Sequence, residues 1–437
     1  MPNRFRKRKH GPRTRASAAP SVTVDVTQIG ARGDGIAAGP NGPLYIPFSV
    51  PGDRVTVRPG VKRGDGYAAE ILSFDTESPD RATPACRHYT RCGGCSLQHL
   101  DPALYRTIKQ NLLSDALSRK GFDTGCIQPV QAVGPGTRRR LRLSAVRLKN
   151  RTVLGFNERA GSEVIDLGEC PVARPELSAL FQPLRDLAGA LESLGRGGDF
   201  QITLTDSGPD LLIIPAKDAD PTLSDRRLCT EFAEDHTLAR IAWQTDGFDE
   251  PVAARHPVIV RFAGTPVSLP IGAFLQPSEE GERILTDLVL SGLPDMKIRI
   301  ADLFAGCGTF SLPLADAGAN VQAFEIAEDA VAALRKAAAG KRIQAQSRDL
   351  EDNPLRTDEL NAFDAVVFDP PRAGAATQAQ QIADSDVPTV IAVSCNPSTL
   401  ARDLAILAEG GYRLERVTPV DQFTWSAHLE AVAILRR

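Results

Sequence analysis

Residues 302–310 read DLFAGCGTF, an apolar strand end that runs into a glycine-containing turn and on into a helical segment. Gly306 and Gly308 let the backbone approach a ligand closely, and a helix N-terminus follows, so a nucleotide-like cofactor belongs at this turn. A G-x-G pair is a weak signal alone, and its neighbourhood decides the reading. From residue 297 onward KIRIADLF, VQAFEI, FDAVVFDPP and PTVIAVSC are apolar strands, with helices expected from Thr309, Glu328, Ala375 and Pro397. Strict alternation of this kind predicts a doubly wound parallel sheet, which YRLERVTPVDQF and HLEAVAILRR would complete as a terminal hairpin. The second strand ends at Glu325, 23 residues after Asp302, where a carboxylate can accept from both hydroxyls of a ribose. A dinucleotide loop would carry a third glycine where Ser311 stands. The shorter turn suits S-adenosylmethionine better than a nicotinamide dinucleotide.

Two further strand ends carry chemistry. Asp369-Pro370-Pro371-Arg372 is a rigid acidic turn at the carboxyl edge of the sheet, where Asp369 would face the methyl donor or a target base. An aromatic after Asp-Pro-Pro would suggest methylation of an exocyclic amine, but Arg372 stands there. Ser394-Cys395-Asn396-Pro397 places a thiol at the same edge, before a helix whose dipole is expected to lower its pKa. Cys395 is therefore the candidate nucleophile.

Upstream, residues 22–74 alternate β-branched runs with Gly and Pro punctuation, the pattern of a small OB-like β-barrel. Residues 75–268 are expected to form a mixed α+β middle domain, and 269–437 the cofactor-binding domain. DPALYRTIKQNLLSDALSRK (101–120) reads as one amphipathic helix started by Asp101 and Pro102, able to pack on the C-terminal domain. Arg138, Arg139, Arg140, Arg142, Arg147, Lys149 and Arg151 fall on one strand pattern, a candidate stripe for a nucleic-acid backbone. Cys86, Cys92 and Cys95 have C-x5-C-x2-C spacing, and Cys170 precedes Pro171 much later. Three clustered thiols and a distant fourth suit a tetrahedral S4 site, either zinc or an iron–sulfur cluster, with a disulfide as the alternative.

The 437 residues predict two to four domains, and 42% hydrophobic with 24% charged residues excludes a disordered, collagen-like or coiled-coil chain. Net charge is −3, yet residues 1–21 carry seven basic side chains and no acid, leaving the body with 44 basic against 54 acidic residues. A basic tail, expected to be disordered, on a mildly acidic body points to a polyanionic partner. Neither a membrane span nor a signal peptide is legible, and eight cysteines are too sparse for a disulfide scaffold, so a cytoplasmic location is expected.

In order along the chain, CGGCSLQH (92–99), IGAFLQ (271–276), DLFAGCGTFSL (302–312), DPPRAG (369–374), SCNPSTLARDL (394–404) and HLE (428–430) resemble the motif series of the RumA/RlmD branch of the uracil-5 RNA methyltransferases. The N-terminal strands look like its TRAM domain. The resemblance implies Cys395 as nucleophile, Glu430 as base, and methyl-donor contacts from Gln276, Phe304, Thr309, Glu325, Asp349 and Asp369, the last also near the target base. It implies a [4Fe-4S] cluster on Cys86, Cys92, Cys95 and Cys170, large-subunit ribosomal RNA as substrate, and a monomer. Ser278, Thr309 and the absence of proline after Phe423 depart from the usual pattern. The chemistry explains the residue types: uracil C5 is a poor nucleophile until a thiolate adds at C6, and a base must later remove the C5 proton. Competing readings are the same chemistry on transfer RNA, and an RNA-binding or folding factor with a vestigial methyltransferase domain.

Overall fold

The computed structural model describes residues 20–294 and 297–437; the basic tail, up to residue 19, lies outside the described residues. The chain divides into two compact units, the first ending at Ile108 and including 246–248 and 425–427, the second holding 109–245, 249–424 and 428–437.

In the first unit, strands Val22–Ile29, Gly35–Gly39, Gly42–Ile46, Arg54–Arg63 and Gly66–Thr76 close a five-stranded barrel. Alternation puts Val24, Val26, Leu44, Ile46, Val55 and Val57 inside it. The buried carboxylate of Asp53 accepts from the backbone N–H of Val50 (2.6 Å) and Ser78 (2.8 Å) and from Arg81 (2.7 and 3.0 Å). That ion pair ties the segment after residue 76 to the barrel. The cysteine segment 86–95 therefore belongs with the barrel, where the expected boundary at residue 75 had placed it in the middle domain.

The second unit contains two large sheets. Seven strands form one, with Arg140–Arg147, Gly197–Thr205, Gly208–Pro215 and Arg240–Thr245 at its centre. Eight strands form the other, in the order Ile343–Ser347, Asn320–Glu325, Arg299–Leu303, Ala365–Phe368, Thr389–Ser394, Glu430–Arg436, Arg413–Asp421, Gln131–Ala132. The first five run parallel, and Glu430–Arg436 joins antiparallel. Every residue of Ala365–Phe368 and Thr389–Ser394 is buried, as a strand covered by helices on both faces requires. The edge strand Ile343–Ser347, sequence IQAQS, is polar and partly exposed, which is why its apolar signal is absent.

The helix Pro102–Ser118 forms as expected, with Asp101 accepting from the Ala103 N–H at 2.8 Å. Its later turns bury Leu113, Ala116 and Leu117 in the core that includes Val366, Phe368, Val390 and Ala392. The hairpin Ile259–Phe262 and Thr265–Ser268 buries Val260, Phe262 and Val267 against Leu312 and Leu334, so residues before the expected boundary at 269 pack on the C-terminal body. Three arginines of the expected stripe have partners within the protein. Arg139 is buried against Glu282 at 2.6 Å, Arg142 pairs with Asp199, and Arg147 donates to the carbonyls of Ala188, Leu191 and Gly195.

Candidate active site

Three neighbouring strands deliver the chemical groups to one edge. Asp369 follows Ala365–Phe368, Cys395 follows Thr389–Ser394, and Glu430 opens the last strand. Ser394 pairs with Ala431 in the antiparallel register, so Cys395 and Glu430 leave adjacent strands at the same end. A short strand, a turn and a helix cap fix the thiol. Asn396 accepts from the Ser398 N–H as N-cap of Pro397–Glu409, and its Nδ2 donates to the Arg372 carbonyl at 3.1 Å.

A buried amide array links the carboxylates. Gln276 Nε2 donates to Asp369 Oδ2 at 3.3 Å, while Gln422 Nε2 donates to Gln276 Oε1 at 2.8 Å and to Glu430 Oε1 at 3.2 Å. Burial pushes Asp369 up to about 7 and, reinforced by the Asp369 charge, pushes Glu430 up to about 8. Both carboxyls can thus change protonation near neutrality. The Cys395 thiol is pushed up to about 11, by burial first and then by Glu430 and Asp369. This corrects the expectation that the helix dipole would lower it: two carboxylates and desolvation outweigh the dipole and the Arg372 charge.

The turn after Arg299–Leu303 is conformationally demanding. Phe304 has φ 62° and Gly306 φ 54°, both left-handed. A Cβ added at Gly306 would meet nothing within 4 Å, so the backbone there faces open space, as a nucleoside cofactor needs. Glu325 accepts from the Gly306 N–H at 2.9 Å and the Ala327 N–H at 3.0 Å, which binds the acidic strand end to the glycine turn. Below the turn Ser311 donates to the buried Asp302 at 2.5 Å, and burial pushes Asp302 up to about 7. Asp349 is half-buried and accepts from the N–H of Glu351 and Asp352, forming its own turn. Thr309 lines a cleft of about 600 Å³ with Arg139, Glu282 and Thr286.

The departures from the motif series have local explanations. Ser278 caps the helix Glu279–Ser291, accepting from the Gly281 N–H at 3.0 Å, and Thr424 donates to the Val133 carbonyl at 2.9 Å. Arg372 lies with Nη2 3.0 Å from His428 Nδ1; burial and the nearby cations Arg372, Lys109 and Arg138 push His428 down to about 4, so its ring is neutral. Sequence reasoning missed Gln422 and Lys109. Lys109 is fully buried, and its ammonium donates to Asp421 at 2.7 Å and to the His428 carbonyl at 2.6 Å, holding both ends of a segment that contains Gln422 and stops two residues before Glu430. Neither residue type stands out in a sequence, since a lysine on an amphipathic helix and a glutamine before an aromatic are ordinary.

Cys86, Cys92 and Cys95 lie in a segment of turns in the first unit, and Cys170 lies in the second; all four are half-buried. The Gly94 N–H donates to Cys92 Sγ at 3.4 Å, and burial together with Cys86 raises the Cys92 thiol. Among the described residues, no three His, Cys, Asp or Glu side chains are gathered as a metal would require.

Residues 268–437 match the family model described as tRNA (Uracil-5-)-methyltransferase. An uncharacterized RNA methyltransferase of Brucella melitensis is 44% identical over 422 residues, spanning 95% of this chain and 97% of that protein. The 23S rRNA (uracil(1939)-C(5))-methyltransferase RlmD of Chromohalobacter salexigens is 33% identical over 445 residues, spanning 99% and 92%. In fold the chain is similar to the Pyrococcus abyssi tRNA (uracil-54, C5)-methyltransferase in complex with S-adenosyl-L-homocysteine, with a TM-score of 0.72 and 22% identity over 94% of this chain and 99% of that one. The chain belongs to the uracil-5 RNA methyltransferases, S-adenosylmethionine-dependent enzymes that act on RNA. Among the described residues no helix is long and apolar enough to cross a membrane.

Proposed function

We propose that the protein methylates carbon 5 of a uridine in large-subunit ribosomal RNA, through a covalent bond between Cys395 and C6 of the base. The observation that carries this reading is the arrival of Cys395, Asp369 and Glu430 at one sheet edge, beside the glycine turn. S-adenosylmethionine supplies an electrophilic methyl group when bound. Gln276, Phe304, Thr309, Glu325, Asp349 and Asp369 are the residues proposed to hold it, and the open backbone face at Gly306 fits a nucleoside there. The chain's own groups then divide the work. Burial keeps Cys395 a neutral thiol at physiological pH, so its S–H proton is released to solvent as sulfur bonds to C6 and the C5–C6 π pair moves into the enolate that C5 uses to take the methyl group. Asp369 orients the base while C5 takes the methyl group. Glu430 finally accepts the C5 proton, the C5–C6 double bond reforms, and the C6–S bond breaks to release Cys395.

The ribosomal target rests on the Chromohalobacter salexigens relative, which covers this chain nearly end to end. A [4Fe-4S] centre on Cys86, Cys92, Cys95 and Cys170 is supported by the donor chemistry alone, thiols of which one accepts a backbone N–H, and no catalytic step passes through it. The protein is proposed to act as a monomer.

A denaturing gel with methyl-labelled donor tests the mechanism. Cys395→Ala should form no covalent RNA complex, whereas Glu430→Gln should accumulate a complex that already carries the label. Normal turnover by Glu430→Gln, or a complex with Cys395→Ala, overturns the roles. Mapping 5-methyluridine in ribosomal and transfer RNA of a deletion strain tests the target, and loss from transfer RNA alone would refute the ribosomal assignment.

A further inference from the structure

We infer that Gln422 is a positioning residue for the reaction: its amide holds the base Glu430 and the donor-side Gln276 in one array, and so sets the pH range over which the base accepts a proton. The inference rests on the role proposed for Glu430.

Gln422 is the only residue among the described hydrogen bonds that joins the two halves of the site. One Nε2 donates both to Gln276 Oε1 (2.8 Å) and to Glu430 Oε1 (3.2 Å), and Gln276 in turn donates to Asp369 Oδ2 (3.3 Å). The residue is 4% exposed, and among the described residues its Oε1 has no hydrogen-bond partner. A buried amide that satisfies two acceptors through its nitrogen and none through its oxygen is held for what it donates. Packing holds the amide in place, and the two acceptors fix which end donates. Gly281, in the first turn of Glu279–Ser291, lies against it, and a Cβ there would come within 2.4 Å of Gln422 Oε1.

The direction of the effect follows from charge. A donated hydrogen bond favours the carboxylate of Glu430 over the carboxylic acid, against the burial that favours the acid. The other groups facing Glu430 are Asp369 and Cys395 from the two neighbouring strand ends; Asp421 on the adjoining strand is neutralised by Lys109, and His428, two residues before Glu430, is neutral beside Arg372. None of these donates a hydrogen bond to Glu430 among those described. Without the Gln422 amide, Glu430 holds its proton to higher pH, and fewer molecules carry the ionised base at neutrality.

The test follows decay of the labelled covalent complex in single turnover with the full chain, offering large-subunit ribosomal RNA and transfer RNA transcripts separately across neutral and alkaline pH. Gln422→Leu keeps the volume and removes the amide. A shift of one pH unit in the base makes decay about tenfold slower near neutrality, recovering as pH rises, with methyl-donor binding retained. Gly281→Ala, which displaces the amide without deleting it, should shift the same limb by less, and it carries the test alone if Gln422→Leu does not fold. A parental pH profile, or a loss of rate uniform across pH, overturns the inference. Glu430→Gln separates the two failures: if it too leaves no complex, the base assignment falls; if it accumulates complex while Gln422→Leu behaves as the parent, only the role of Gln422 falls.

Discussion

Replacing Lys109 with methionine is the most informative stability experiment. Lys109 and Asp421 are 0% and 2% exposed at their side chains, and the ammonium also holds the carbonyls of His428 and Phe423 at 2.6 and 3.5 Å. Methionine fills the same space but leaves the Asp421 carboxylate without its cation and the two carbonyls without that donor. Breaking a buried pair from one side costs about 3–5 kcal/mol, whereas replacing both partners with apolar residues is often near neutral. With an unfolding entropy of about 2.1 cal/mol/K per residue over the larger compact unit, the loss corresponds to a fall of roughly 4–7 °C in the melting midpoint. Lys109→Met should show that fall, and the double variant Lys109→Met, Asp421→Leu should recover most of it. Because Lys109 holds Asp421 beside Gln422 and the His428 carbonyl two residues before Glu430, kcat should drop more than methyl-donor affinity changes. Calorimetry and single-turnover kinetics on the three proteins decide the matter. A single variant within about 1 kcal/mol of the parent, or a double variant no better than the single, would refute the view that this pair holds the catalytic segment in place.

Further expectations concern the glycine turn, the titrating carboxyls, the thiols and the tail. Gly306→Ala forces a side chain into a left-handed backbone with open space around it, so it should cost about 1–2 kcal/mol of stability and weaken methyl-donor binding more, as calorimetric titration would show. Gly308→Ala would instead press a Cβ to 2.5 Å from Leu334 and should chiefly lower the melting temperature. The carboxyls of Asp302, Asp369 and Glu430 are raised on folding, so the folded chain binds more protons than the unfolded one; stability should fall as pH rises from the ordinary carboxylate range through 7–8, and Asp302→Asn should flatten that slope in pH-dependent melting. Anaerobically purified protein should contain about four irons per chain, lost in Cys92→Ser, and zinc in place of iron would refute the cluster. Deleting residues 1–20 should weaken RNA binding and reduce its salt dependence while leaving methyl-donor binding unchanged; an unaltered slope would mean that the tail contacts no phosphate.

The alternation of apolar strands and helices after residue 297 determined the parallel sheet before any coordinates, because strands buried on both faces must be apolar throughout. Thr389–Ser394, buried at every position, is the clearest case. Glycine and proline punctuation likewise marked the barrel, and the edge placement of Cys395, Asp369 and Glu325 followed from where strands end. The sequence was silent where polar groups act through distant partners. Edge strand Ile343–Ser347 has a weak pattern, and the pairing of Lys109 with Asp421 spans 312 positions. The basic run around Arg140 shows the same limit from the other side, since charge alone did not reveal that Arg139 and Arg147 are spent on buried partners. The protonation states belong to the tertiary structure most of all. Cys395 at a helix start reads as an acidified thiol, and only folding brings Glu430 and Asp369 beside it in a dry site, where burial and like charge outweigh the dipole and raise its pKa instead.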